Sequence, residues 1–192
     1  MKIDLSYKVD KKLLEALGLA TKEIASDIDK TGHVGTHFDV MGREYSVDNI
    51  ITQGRIYDIS HIKASEVKTE DLDLTSVKEK DFVIFHTGIL KRFGYGTKEY
   101  FSNYTELSDE LIDYLLSKKI SYIGVDMGGV KGPKDHPRID QYCADRGVFI
   151  IENLNNLELL LEKADNKPFK VYNFPVNFDG FSGIPCRVVA EV

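Results

Sequence analysis

The sequence predicts a mixed α/β domain, and two features carry that reading. Three short apolar runs, Phe82 to Phe85, Tyr122 to Val125 and Val148 to Ile151, have the length and content of buried strands. Between and after them, residues 109–118, 138–146 and 154–163 carry apolar side chains at helical spacing. Further strand-like stretches lie near both ends, so strands and helices interleave around one sheet. At 192 residues one domain spanning 1–192 is the default. Such a chain buries a substantial core without disulfides.

Taken in order, Lys2 to Tyr7 alternates Ile3, Leu5 and Tyr7 with polar neighbours and reads as a first strand. Asp10 is placed to cap a short helix carrying Leu13, Leu14 and Leu17. Residues 18–31 have no period and read as a connecting loop or lid. Ile50 to Asp58 is a second strand region, with Arg55 to Ile59 its firmest part. Phe82 to Phe85 ends at His86, near the mouth a strand end would offer. Residues 92–104 hold Phe93, Tyr95, Tyr100, Phe101 and Tyr104, which suit a wall of a substrate pocket, a subunit contact or core filling. Ser108 caps the helix that carries Leu111, Ile112, Leu115 and Leu116. Gly147 stops the helix carrying Ile139, Tyr142 and Cys143. A helix beginning at Asn153 turns Leu157, Leu160 and Leu161 inward, and Phe169 to Phe178 and Cys186 to Val192 are the last strands.

Composition removes several function classes. Hydrophobic residues are 42% and charged residues 29%, ordinary for a globular protein. A net charge of −6 gives no electrostatic case for nucleic acid. No apolar run approaches membrane-spanning length. Cys143 and Cys186 are too few for a disulfide framework or a cysteine metal site. A reducing cytoplasm is the expected compartment.

The chemistry concentrates in His33-Val34-Gly35-Thr36-His37-Phe38-Asp39. On an extended strand His33, His37 and Asp39 share one parity and leave one face. Gly35 shares that face and leaves a gap beside the imidazoles. Two neutral imidazoles and a carboxylate suit a divalent metal, with zinc or manganese expected. The alternative is a solvated strand with scattered histidines.

This His-x-Gly-Thr-His-x-Asp run resembles the signature of the cyclase family of metal-dependent hydrolases, which includes kynurenine formamidase and isatin hydrolase. Other segments are similar to the family too: Lys80 to Gly88, Tyr122 to Asp126, Ile151 to Leu157, and Ser182 to Arg187. The resemblance implies a mixed-sheet swivelling β/β/α fold. It also implies Glu152 as a further ligand. Where the family has a histidine closing the signature, this chain has Arg43. Where it has a histidine twelve residues before the glutamate, this chain has Asp140. If Arg43 points inward it brings a guanidinium to the place of a second ion, facing Asp140 and Glu152. His136, four residues before Asp140, becomes a ligand if the loop shifts.

The resemblance therefore implies a hydrolase of a small amide, lactam or ester using a metal-activated water. His33, His37, Asp39 and Glu152 are the expected ligands. Arg43 and Asp140 are the expected catalytic groups, for oxyanion stabilisation and proton transfer. The substitutions leave open a catalytically silent relative that binds a metal or small ligand. The expected partner is a small-molecule substrate, with a homodimer or homotetramer implied by the family.

Overall fold

The computed structural model describes residues 1–5, 32–178 and 181–192. The expected Asp10-capped helix and the connection at 18–31 lie outside the described residues. In chain order the strands are β1 (Lys2–Asp4), β2 (His37–Asp39), β3 (Ile51–Asp58), β4 (Glu66–Val67), β5 (Phe82–His86), β6 (Glu106–Leu107), β7 (Tyr122–Val125), β8 (Phe149–Glu152), β9 (Phe169–Pro175) and β10 (Gly183–Glu191). The helices are α1 (Ile89–Phe93), α2 (Lys98–Ser102), α3 (Asp109–Ser117), α4 (His136–Ala144) and α5 (Leu157–Ala164).

Eight strands form one sheet in the order β1-β10-β2-β8-β7-β5-β3-β9. Strand β9 pairs with β3 and also with β10, so the sheet closes on itself. Strands β3, β5, β7 and β8 run parallel, while β2, β9 and β10 pair antiparallel to their neighbours.

The apolar runs are continuous because both sheet faces are covered. Phe82, Ile84, Tyr122, Phe149 and Ile151 join one core cluster with Phe38, Val171 and Val188. Their neighbours Val83, Phe85, Ile123, Val125 and Ile150 point the other way, into a second cluster. There they meet Leu111, Ile112 and Leu115 of α3 and Ile139 and Cys143 of α4. Each such fully buried side chain stabilises the fold by about 1.5–3 kcal/mol relative to exposure. Gly124 marks a tight spot in the first cluster: a Cβ there would lie 2.4 Å from the Phe82 ring.

Local signals place the helices. Ser108 Oγ accepts from Leu111 N at 3.0 Å and caps α3. Gly147, with φ 73°, turns the chain after α4 towards β8. The last helix starts later than expected. Asn153 and Asn156 both hold left-handed φ, 57° and 59°, so α5 begins at Leu157. Asparagine tolerates that conformation better than most residues, which is why two of them interrupt the apolar spacing here.

Candidate metal centre

Strand parity brings part of the centre together. Phe38 and Val40 enter the first core cluster, so His37 and Asp39 leave the opposite face of β2. In the β2–β8 register His37 lies opposite Glu152, and Asp39 opposite Ile150. Glu152 thereby joins the two β2 side chains at the sheet surface that α4 covers. Asp39, His37 and Glu152 are all buried.

His33 arrives by another route. The expected single strand from His33 to Asp39 is not formed: β2 starts at His37, and Gly35 holds φ 71°. The turn, rather than parity, folds His33 back over β2. Its Nδ1 comes 3.2 Å from His37 Nε2 and 3.1 Å from Asp39 Oδ1. Its Nε2 lies 2.9 Å from Ser182 Oγ. The ring packs so closely on β10 that a Cβ at Gly183 would fall 2.6 Å from it. Gly35 contributes its backbone. Its carbonyl accepts from His37 Nδ1 at 2.9 Å and from Asn153 Nδ2 at 2.9 Å.

Helix α4 supplies the rest. His136 and Asp140 sit one turn apart, and His136 Nε2 lies 2.8 Å from Asp140 Oδ2 and 3.1 Å from Glu152 Oε1. The i,i+4 spacing on α4 thus sets His136 against Asp140. His136 also packs on Gly129, where a Cβ would meet its Nδ1 at 2.5 Å. Lys131 anchors this loop through Glu66 at 2.9 Å and Asp109 at 3.0 Å.

Arg43, expected at the site, lies on the surface. It is not in the centre. After β2, Met41 (φ 50°) and Gly42 (φ 70°) reverse the backbone, and Arg43 N donates to Val40 O at 2.8 Å. That turn breaks the strand parity on which an inward arginine depends. The guanidinium, 55% exposed, instead donates to Asp145 Oδ1 at 2.8 Å. The cation facing Asp140 and Glu152 is the imidazole of His136.

His86 also lies elsewhere. It pairs with Asp58 at 3.0 Å at the ends of β5 and β3. Asp126, at the end of β7, accepts from Thr87 N and Gly88 N and braces that loop.

The electrostatics follow from burial and crowding. Burial alone would lower His37, but the adjacent Asp39 and Glu152 carboxylates outweigh it and raise it to about 9. Burial would also lower His136, yet its bonds to Asp140 and Glu152 raise it to about 11. Burial pushes Asp140 up to about 7 despite His136, with Asp39 and Glu152 adding repulsion. Burial and Asp39 raise Glu152 as well. Asp39 behaves oppositely: burial would raise it, but His37 and His33 hold it well below the usual carboxylate range.

These residues fit a divalent cation. Among the described residues Asp39 Oδ2 and Asp140 Oδ1 are buried without a hydrogen-bond partner, while Asp39 Oδ1 and Glu152 Oε1 face His33 and His136 at 3.1 Å. Such oxygens are costly to bury unless a charge satisfies them. His33, His37 and Asp39 offer one compact ligand group, and Asp39, His136 and Asp140 a second that shares Asp39. In each group the ligand atoms lie within 4.8 Å of one another.

A cavity of about 400 Å³ opens onto the cluster. His33, His37, His136 and Glu152 line its floor, and Tyr95, Phe101 and Tyr104 form an aromatic wall. Tyr100 fills the core behind that wall, so the aromatic stretch divides between lining a cavity and filling the core.

The Putative cyclase family matches residues 3–131, two-thirds of the sequence. The chain belongs to the cyclase family. The matched residues include His33, His37, Asp39 and Arg43 and end before His136. Solved structures share the fold. One described as a novel cyclase has a TM-score of 0.71 at 12% identity, covering 100% of this chain and 88% of its own. Isatin hydrolase A from Ralstonia solanacearum gives 0.67 at 18% identity, covering 83% and 72%. A structure titled "predicted metal-dependent hydrolase", from Bacillus stearothermophilus, gives 0.64 at 21%, covering 82% and 76%. No curated protein matches the sequence. The cyclase-family chain thus has the mixed α/β fold of structures described as metal-dependent hydrolases. Among its described residues no helix is long and apolar enough to cross a membrane.

Proposed function

We propose that this chain is a metal-dependent hydrolase of a small amide, lactam or ester. One observation carries the reading: His33 Nδ1, His37 Nε2 and the buried Asp39 carboxylate converge beside an aromatic-walled cavity. The relatives' descriptions as hydrolases support it. A divalent cation bound to these ligands supplies Lewis-acid activation of a carbonyl and of water.

The protein's own groups do the rest. His33, His37 and Asp39 would hold the ion, and the cavity beside them would admit a substrate. His136, beside the cavity, would give its proton to the leaving group, while the Asp140 or Glu152 carboxylate it pairs with would take the proton that the attacking water loses. As an imidazolium it also faces negative charge developing at the carbonyl. Tyr95, Phe101 and Tyr104 hold a planar substrate and exclude water.

A second reading is a silent relative that binds an ion or small ligand without turnover. The outward Arg43 favours it, because the family's histidine at that position has no replacement there.

Elemental mass spectrometry on protein purified without chelators, beside His37→Ala, tests both. Bound metal lost in the variant, together with turnover of an aryl amide, lactam or ester panel, supports the hydrolase. Bound metal with ligand-induced stabilisation but no turnover favours the silent relative. No metal after reconstitution overturns the metal-dependent reading.

A further inference from the structure

Asn153 joins the two halves of the centre. It directly follows Glu152, is buried, and holds φ 57°. Its Nδ2 donates to the Gly35 carbonyl at 2.9 Å, the same oxygen that accepts from His37 Nδ1. Its Oδ1 accepts from the Tyr100 hydroxyl. Its backbone carbonyl accepts from Thr36 Oγ1 at 2.8 Å, and Gly35 N donates to Tyr95 Oη at 3.0 Å.

Gly35 has no side chain to fix its peptide, and it sits in a left-handed turn. The direction of its carbonyl therefore depends on what grips it. That carbonyl holds a proton on His37 Nδ1. With Nδ1–H committed to Gly35, Nε2 is the nitrogen turned toward His33, Asp39 and Glu152. Outer-shell partners of this kind orient ligating histidines and raise their basicity.

We infer that Asn153 is a positioning residue, backed by Tyr100, that aims His37 by gripping the Gly35 carbonyl. Tyr100 also packs against Tyr95 and Phe101 of the cavity wall. The Tyr100–Asn153–Gly35–His37 chain therefore ties the substrate-facing wall to the aim of a ligand. The inference rests on the metal-dependent reading for the ion that His37 would hold, but its hydrogen bonds require no ion.

The test uses the full chain and two variants. Asn153→Gly removes the side chain while accepting the left-handed φ. Tyr100→Phe removes one hydroxyl. Imidazole ¹⁵N–¹H spectra recorded without metal report the His37 Nδ1–H, and calorimetry with Zn²⁺ reports affinity. We expect a slowly exchanging Nδ1–H in the native protein, lost in Asn153→Gly and exchanging faster in Tyr100→Phe. Zinc affinity should fall about 10- to 100-fold in Asn153→Gly. A folded Asn153→Gly that keeps the native Nδ1–H signal overturns the inference. If that variant does not fold, native exchange of Nδ1–H in Tyr100→Phe overturns it instead. If the native protein binds neither Zn²⁺ nor Mn²⁺, the proposed function fails, while the Nδ1–H signal still decides the role of Asn153.

Discussion

His136 and Asp140 meet one turn apart on α4, with Nε2 2.8 Å from Oδ2, and the same nitrogen reaches Glu152 at 3.1 Å. An imidazole thus holds two buried carboxylates. Removing it in His136→Ala leaves them without their cation. Breaking such a pair costs about 3 kcal/mol of stability without metal. Turnover of a responsive substrate should fall by about 100-fold or more, the usual worth of a general acid–base group. Urea melts and steady-state rates check both effects. An unchanged rate would remove His136 from proton transfer.

Arg43→Ala should do almost nothing. Its guanidinium is exposed and pairs with Asp145 on the surface. Metal content, melting temperature and kcat should match the native protein. A large loss of activity would mean that Arg43 turns inward when substrate binds.

The centre predicts opposite pH responses with and without metal. His37 and His136 are raised to about 9 and 11, so their protonated forms stabilise the metal-free fold. That stabilisation is fully present below the unfolded histidine value of roughly 6.5 and fades as pH rises through 9 and then 11. Asp140, raised to about 7, works in the same direction over the range up to that pH. Metal must displace these protons, so affinity should rise over the same interval. Urea midpoints of chelated protein should fall from pH 6.5 to 9. Zn²⁺ calorimetry should show tighter binding and proton release. A chelated midpoint that climbs over this range would contradict the charge arrangement.

Asp126 should matter for stability alone. It is buried and accepts from Thr87 N and Oγ1 at 2.7 Å and from Gly88 N at 2.8 Å. Asp126→Ala strands those donors and should cost about 2–4 kcal/mol in urea unfolding. Metal content should stay native. Loss of metal in a folded variant would place Asp126 closer to the chemistry than its bonds suggest.

Much of this was legible in the chain. The runs at Phe82, Tyr122 and Phe149 are strands because they are apolar on both parities, and both faces are buried. The Ser108 cap and the Gly147 stop lie where expected. In the centre, His37 and Asp39 share a face because they share parity within β2. Glu152 came from the resemblance, and the β2–β8 register is what sets it opposite His37.

What the sequence by itself determined was a local matter: which segments extend, which coil, and which residue types could hold a metal. Periodicity and ligand chemistry act over a few residues, and a single chain displays them directly. Only the tertiary structure decided who meets whom. The turns at Gly35 and at Met41 and Gly42 bring His33 in and send Arg43 out, because a positive φ cancels strand parity within one or two residues. The packing of α4 on β8 chose His136 as the partner of Glu152, more than a hundred residues in sequence from His33. Contacts across such separations depend on register and crossing geometry, which local spacing does not encode.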